Sequence, residues 1–263
     1  MSTLIYERLH QNLIDLGLTT IEDILDNYLE YSGNGDKSVL EIIDYLIEEE
    51  KNSRNNKRTE RNLKLSGLPF RKKFDDFNFD FQPSIDKSVM NELKTLKFIY
   101  NAENIVFLGP PGVGKTHLAV GLGLEAIHSG MAVYFINASN LIEKLLKAYS
   151  LGKLQRYINS FAKFRLIIID EIGYLPFDSD AAYCFFQLIC TRYENRSIIF
   201  TSNKSYSQWG EIFNDTVIAS AILDRILHHC TTVNIKGESY RMKERQKTGL
   251  VPPVSNETIA KLK

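Results

Sequence analysis

The chain has 263 residues with 44% hydrophobic and 24% charged content, and its 32 basic and 32 acidic side chains give a formal net charge of zero. This is an ordinary globular composition, long enough for one α/β domain with a full core plus a small appendage. No apolar run approaches the roughly 20 residues of a membrane span, and residues 1–16 lack a signal peptide's apolar centre. No membrane partner and a cytoplasmic location are therefore expected. Cys184, Cys190 and Cys230 show no CxxC pairing or metal spacing and read as buried thiols in a reducing compartment.

The zero net charge hides a segregation. Residues 1–50 carry twelve Asp and Glu against Arg8 and Lys37, whereas residues 51–73 carry nine Lys and Arg against Glu60 alone. A polyanion contact or an interdomain surface is one reading of the basic run, and a solvated helix face is the other. Residues 1–66 read as a small helical domain. Leu4, Ile5, Leu9, Leu13 and Leu16 recur at helical spacing until Gly17. Thr20 with Asp23 suggests a capping box for a second helix, and Asp36 a cap for a third striped by Leu40, Ile43 and Ile47. Gly67-Leu68-Pro69 stops that third helix. The domain carries no catalytic grouping, which leaves partner docking, DNA contact or a structural cap.

Residues 67–84 form a linker or arm in which Phe74, Phe77, Phe79 and Phe81 alternate with aspartates. Such an arm can enclose a nucleobase or simply pack. One helix is expected over 85–100. The apolar run 105–108 then leads into Gly109-Pro110-Pro111-Gly112-Val113-Gly114-Lys115-Thr116, followed by a helical run over 117–128. Strand, glycine-rich loop and helix in this order form a phosphate-binding P-loop. Its glycines bring backbone N–H groups onto one anion, and the helix N-terminus adds its partial positive charge. Residues 109–116 with His117 are thus the nucleotide-binding candidates. Lys115 would reach the β- and γ-phosphates, and the Thr116 hydroxyl would hold Mg²⁺.

Further apolar runs at 132–136, 166–169, 197–201 and 232–235 alternate with helices. They predict a parallel five-stranded sheet flanked by helices, with ligand at the strand C-termini. The run 166–169 ends in Asp170-Glu171. Asp170 fits a Mg²⁺-binding acid, and Glu171 a base that orients and deprotonates the attacking water. Asn203, just after the next strand, could position the γ-phosphate or that water. P-loop, paired acids and strand-Asn in this order make the arrangement of an AAA+ ATPase, within an expected domain of 85–250 followed by a flexible tail, 251–263. Arg225 stands where an arginine finger reaching a neighbouring subunit's nucleotide would lie, and Arg241 could contact nucleotide within its own subunit.

Two helical pieces over 141–165 carry six Lys and Arg against Glu143 alone. Lys144, Lys147, Lys153 and Arg156 are the candidate contacts to a DNA backbone, with no base-reading motif in sight. His117 and the pair His228-His229 lack a Cys or His partner at ligand spacing and read as helix-surface or packing residues.

The runs Asp170-Glu171-Ile172-Gly173-Tyr174-Leu175-Pro176, Phe81-Gln82-Pro83-Ser84-Ile85-Asp86, Leu223-Asp224-Arg225-Ile226-Leu227-His228-His229 and Gly237-Glu238-Ser239-Tyr240-Arg241, with the P-loop, resemble the IstB-like transposition-helper ATPases. The likeness covers roughly residues 60–245. It implies an AAA+ domain of the initiator and helicase-loader clade that uses ATP and Mg²⁺ and forms homo-oligomers on duplex DNA. It also implies a partner transposase, which such helpers recruit or stimulate. A DnaC-like replicative-helicase loader is the alternative, and a P-loop module using ATP only structurally is a more distant one.

Overall fold

The computed structural model describes residues 3–32, 38–173 and 176–247, and the chain divides into two compact units, Met1–Arg61 and Asn62–Lys263. The Asp36 cap, Tyr174 and Leu175 of one family-like run, and the 251–263 tail lie outside the described residues.

The first unit is helical. Helix α1 (Thr3–Asp15) ends before Gly17, which takes φ +67°, and is followed by α2 (Thr19–Ser32) and α3 (Val39–Ser66), whose last residues belong to the second unit. Leu13, Ile21, Leu25 and Leu46 form its buried core. The expected Thr20–Asp23 capping box is replaced by a long-range cap. The Thr20 and Ile21 amides donate to Glu50 Oε2 at 2.9 and 3.2 Å, and Arg54 Nε donates to Glu50 Oε1 at 2.6 Å. One buried carboxylate thereby satisfies two unpaired amides at the start of α2. Burial alone would raise the Glu50 carboxyl, but Arg54 and the two amides outweigh it and hold the group below the ordinary glutamate value. At the start of α3, Ser38 and Glu41 form a reciprocal capping box.

The second unit is built on five parallel strands: β1 (Asn104–Leu108), β2 (Val133–Asn137), β3 (Leu166–Ile172), β4 (Ser197–Ser202) and β5 (Cys230–Asn234), in the order β2-β3-β4-β1-β5. Alternate side chains feed two cores. Ile105, Phe107, Ile168 and Ile199 face one, and Val106, Leu108, Ile167, Ile169 and Phe200 face the other. Strands buried on both faces must be apolar nearly throughout, which is why they read as unbroken runs.

The helices, in chain order, are α4 (Lys87–Lys94), α5 (Lys97–Tyr100), α6 (Lys115–His128), α7 (Ala138–Ser150), α8 (Leu154–Ser160), α9 (Ser179–Arg192), α10 (Trp209–Phe213), α11 (Thr216–Leu227) and α12 (Tyr240–Lys247). The single helix expected over 85–100 is two. Leu96 breaks it at φ +62° with its side chain buried, so apolar burial holds a backbone conformation that leucine rarely adopts. Among the cysteines only Cys184 is buried; Cys190 and Cys230 are partly exposed. No helix among the described residues is long and apolar enough to cross a membrane.

At the base of the sheet, Arg192 is buried without a carboxylate partner among the described residues. Its guanidinium donates to the carbonyls of Phe161, Phe164, Arg165 and Ser197 at 2.9–3.4 Å, joining the end of the α7–α8 segment to the start of β4. Desolvation lowers its pKa to about 9. Arg192→Met would leave these carbonyls unpaired and is expected to destabilise the protein by about 3 kcal/mol, read by urea denaturation. Arg192→Lys should recover only part of that loss, because an ammonium lacks the planar fork.

Candidate active site

The loop between β1 and α6 closes at the C-terminal edge of the sheet, where α/β sheets bind ligands. Gly112 takes φ +81° and Gly114 φ +100°; a Cβ at Gly112 would overlap the Ser239 side chain, and one at Gly114 the Phe77 ring. Both positions therefore require glycine for conformation and for space. Lys115 Nζ donates to the carbonyls of Gly109 at 2.7 Å and Pro110 at 2.8 Å, and burial lowers its pKa despite Asp170 and Glu171 nearby.

The paired acids diverge at a bulge. The pairing of β3 with β4 is irregular between Ile169 and Ile172, and Glu171 has φ +62°. Asp170 turns inward and is 4% exposed, whereas Glu171 is exposed. The Thr116 hydroxyl donates to Asp170 Oδ1 at 2.9 Å, and the Thr201 hydroxyl donates to the same oxygen at 2.6 Å. Thr201 Oγ1 also accepts the Glu171 N–H at 2.9 Å. Burial raises the Asp170 carboxyl above the ordinary aspartate value, against the pull of both hydroxyls and of Lys115. Asn137 Nδ2 lies 3.4 Å from Glu171 Oε2. Asn203 Oδ1 is buried with no hydrogen-bond partner among the described residues, so this carboxamide keeps an unused acceptor beside the cleft that it lines.

Lys115, Thr116, His117, Glu171, Asn203 and Arg241 all line one cleft of about 420 Å³, within the range of small-molecule sites. Pro111, Gly112, Val113 and Gly114 line it too. Gly109 and Pro110 are represented by the carbonyls that hold Lys115. Arg225 does not line the cleft; its Nη1 donates to Ala221 O at 3.0 Å and its guanidinium lies 5.0 Å from the Phe186 ring centre. Lys144 and Lys147 on α7, and Lys153 and Arg156 at α8, are all exposed and likewise outside it.

Two segments far apart in sequence close the cleft, and sequence reasoning did not pair them. Phe70, Phe77, Phe81 and Gln82 of the arm line it together with Tyr240. Gln82 Nε2 donates to Glu238 O at 2.9 Å, Ser84 Oγ accepts from Lys236 N at 2.8 Å, and the Phe81 and Tyr240 rings meet edge to face at 5.4 Å. Tyr240 N donates to Gly112 O at 3.0 Å, tying this closure to the P-loop. His117 packs edge to face on Phe77 at 5.4 Å, and its Nε2 lies 2.9 Å from Lys73 O. The Phe-rich arm and the Gly-Glu-Ser-Tyr-Arg run were the available signals, but only the fold brings them together.

A P-loop at β1, split acids at β3 and a carboxamide after β4, on a parallel sheet of this order, define an AAA+ domain. The comparisons agree. The DnaI crystal structure matches with a TM-score of 0.53 at 18% identity, over 64% of this chain and 90% of that one. AMPPCP-bound DnaA from Aquifex aeolicus matches with a TM-score of 0.52 at 20% identity, over 75% of this chain and 61% of that one. The family of IstB-like ATP binding proteins matches residues 11–248, and the chain belongs to that family. Among its relatives, a protein named for ATP binding in insertion sequence IS21 of Pseudomonas aeruginosa is 44% identical, covering 90% of this chain and 91% of its own. A similarly named protein of insertion sequence IS5376 of Geobacillus stearothermophilus is 45% identical, covering 91% and 96%.

Thr201→Val would deprive both the buried Asp170 oxygen and the Glu171 amide of a partner. It is expected to cost about 1–3 kcal/mol in urea denaturation, with Thr201→Ser retaining most of the stability.

Proposed function

We propose that this protein is an ATP-hydrolysing, DNA-binding transposition helper that assembles on duplex DNA, remodels it and recruits or stimulates a partner transposase. One observation carries the reading: a buried Asp170 bonded to Thr116 stands beside an exposed Glu171 that lines the same cleft as Lys115, Asn203 and Arg241. A cleft that merely held nucleotide would need no exposed carboxylate beside the phosphate loop.

In this mechanism the loop amides and the N-terminus of α6 hold the phosphates, and Lys115 exchanges its two carbonyls for their oxygens. Thr116 and Asp170 offer hard oxygen donors that suit Mg²⁺. When bound, the ion neutralises charge developing on the phosphates. Glu171 takes the proton of the attacking water, Asn203 orients that water or the γ-phosphate, and Arg241 senses the nucleotide from its own subunit. Arg225, absent from the lining of its own cleft, reaches the nucleotide of the next subunit in a homo-oligomer. Hydrolysis then controls assembly.

The exposed basic residues Lys144, Lys147, Lys153 and Arg156 contact the DNA backbone, a reading supported by their solvent-facing position on α7 and α8 and by the insertion-sequence relatives. The helical domain at 1–66 serves the partner or DNA, with residues 67–84 as the arm that closes the cleft and 85–250 as the ATPase domain.

The test is the mobility of a long duplex and of a matched single strand with ATP, ADP or no nucleotide. Cooperative, ATP-dependent shifting of duplex is expected; preference for single strands would favour a helicase loader instead. Glu171→Gln should lower ATP turnover by about a hundredfold or more while retaining nucleotide binding, and Arg225→Ala should lose both turnover and ATP-dependent assembly. Unchanged turnover in Glu171→Gln would reject the assigned base. Charge reversal at Lys144, Lys147, Lys153 and Arg156 together should weaken duplex binding by about tenfold or more and flatten its salt dependence. An unaltered shift would remove the DNA role of this segment.

A further inference from the structure

At the opposite, N-terminal edge of the sheet, three metal-ligating side chains converge outside the nucleotide cleft. Glu194 lies in the turn before β4, His228 caps the C-terminus of α11, and His229 precedes β5. One ligand atom from each lies within 4.8 Å of the other two. Glu194 Oε1 is 3.8 Å from His228 Nδ1 and 3.9 Å from His229 Nε2, and the two imidazole centres are 4.1 Å apart.

The backbone beneath the cluster is held in place. Asn104 at the start of β1 reaches both turns: its Oδ1 accepts from Ile198 N at 3.0 Å, and its Nδ2 donates to Ile226 O at 3.1 Å. Its own amide donates to His229 O at 2.8 Å. Arg192 accepts on its carbonyl from the Asn195 and Arg196 amides at 3.0 Å, closing the turn that carries Glu194. The Tyr193 hydroxyl lies 2.7 Å from His228 Nδ1, the nitrogen that faces Glu194, so an ion bound there displaces this hydrogen bond.

We propose that Glu194, His228 and His229 form a surface site for a divalent first-row transition metal of the zinc class. Two neutral imidazoles and one carboxylate favour Zn²⁺, Co²⁺ or Ni²⁺ over Mg²⁺ or Ca²⁺, which prefer all-oxygen shells. Ligands about 2.0–2.1 Å from a tetrahedral ion sit about 3.4 Å apart, so the carboxylate has to close on each imidazole by about half an ångström. Side chains that are 51–55% exposed make that adjustment through rotamer changes alone. Three protein ligands leave a fourth position to water. A bound ion ties the turn before β4 to the turn before β5, the two strands that flank β1. Sequence spacing hid the site, because its carboxylate comes from a turn remote from the histidine pair.

The experiment is calorimetric titration of the untagged full-length protein with Zn²⁺, without nucleotide or Mg²⁺, together with visible absorption after Co²⁺ addition. One equivalent should bind with a micromolar dissociation constant, and the thermal midpoint should rise with Zn²⁺. His228→Ala, His229→Ala and Glu194→Gln, all at exposed positions, should each weaken binding at least tenfold and abolish the thermal shift. Binding no tighter than millimolar, or unchanged in either histidine variant, would overturn the site. So would an intense thiolate charge-transfer band with Co²⁺ that disappears in Cys230→Ser, which would assign the metal to cysteine.

Discussion

The buried Asp170 carboxylate is the constraint around which the nucleotide domain is arranged. An ionised group taken out of water survives only with hydrogen-bonding partners. Here those partners are the Thr116 hydroxyl from the first turn of α6 and the Thr201 hydroxyl from β4. One side chain on β3 therefore locks the phosphate loop's helix and the neighbouring strand into register. The remaining cost appears in the raised proton affinity of the carboxyl. The same junction separates the orientations of two consecutive acids. Thr201 accepts the Glu171 amide where β3 bulges and the backbone enters the left-handed region. One acid is turned into the protein and the other toward the cleft.

Closure of that cleft relies on a second, weaker set of interactions. The arm meets the segment after β5 through Gln82, Ser84 and the Phe81–Tyr240 ring contact, and that segment bonds back to Gly112. The phosphate loop is thereby bonded to residues from the far end of the domain. A change in how the loop holds its ligand has a direct mechanical route to the arm and to α12. Strain at Gly112 and Gly114 is avoided only because neither carries a side chain, since Ser239 and the Phe77 ring fill the space where one would stand.

The charged surfaces follow a different logic. The solvent faces of α7 and α8 carry Lys144, Lys147, Lys153 and Arg156 while Leu141, Leu145 and Ile158 fill the core beneath. Such a face costs little stability, because its charges stay solvated while the apolar side is buried. At the N-terminal edge of the sheet, Asn104 and Arg192 hold the turns that present Glu194, His228 and His229.

Local pattern was enough for the phosphate loop, the paired acids on β3, the apolar strands and the helical character of the N-terminal unit. Each is written in adjacent residues: glycines where φ must be positive, unbroken apolar runs where both sheet faces are covered, and 3.6-residue stripes on helices. It was not enough for the N-terminal unit's buried face: of the residues expected to stripe its first and third helices only Leu13 is buried, while Leu4, Ile5, Leu9, Leu16, Leu40, Ile43 and Ile47 are exposed. The family resemblance also rested on such contiguous runs, and the match over residues 11–248 bears it out. Tertiary structure decided whatever depended on groups distant in the chain. It supplied Glu50 in place of a local cap on α2, and it broke the helix at Leu96 to bury that side chain. It paired the arm with the Gly-Glu-Ser-Tyr-Arg segment, and it brought Glu194 to the two histidines. Spacing along a chain encodes neighbours on a helix or strand, whereas contacts across a sheet are set by strand order and packing, which no single stretch of sequence contains.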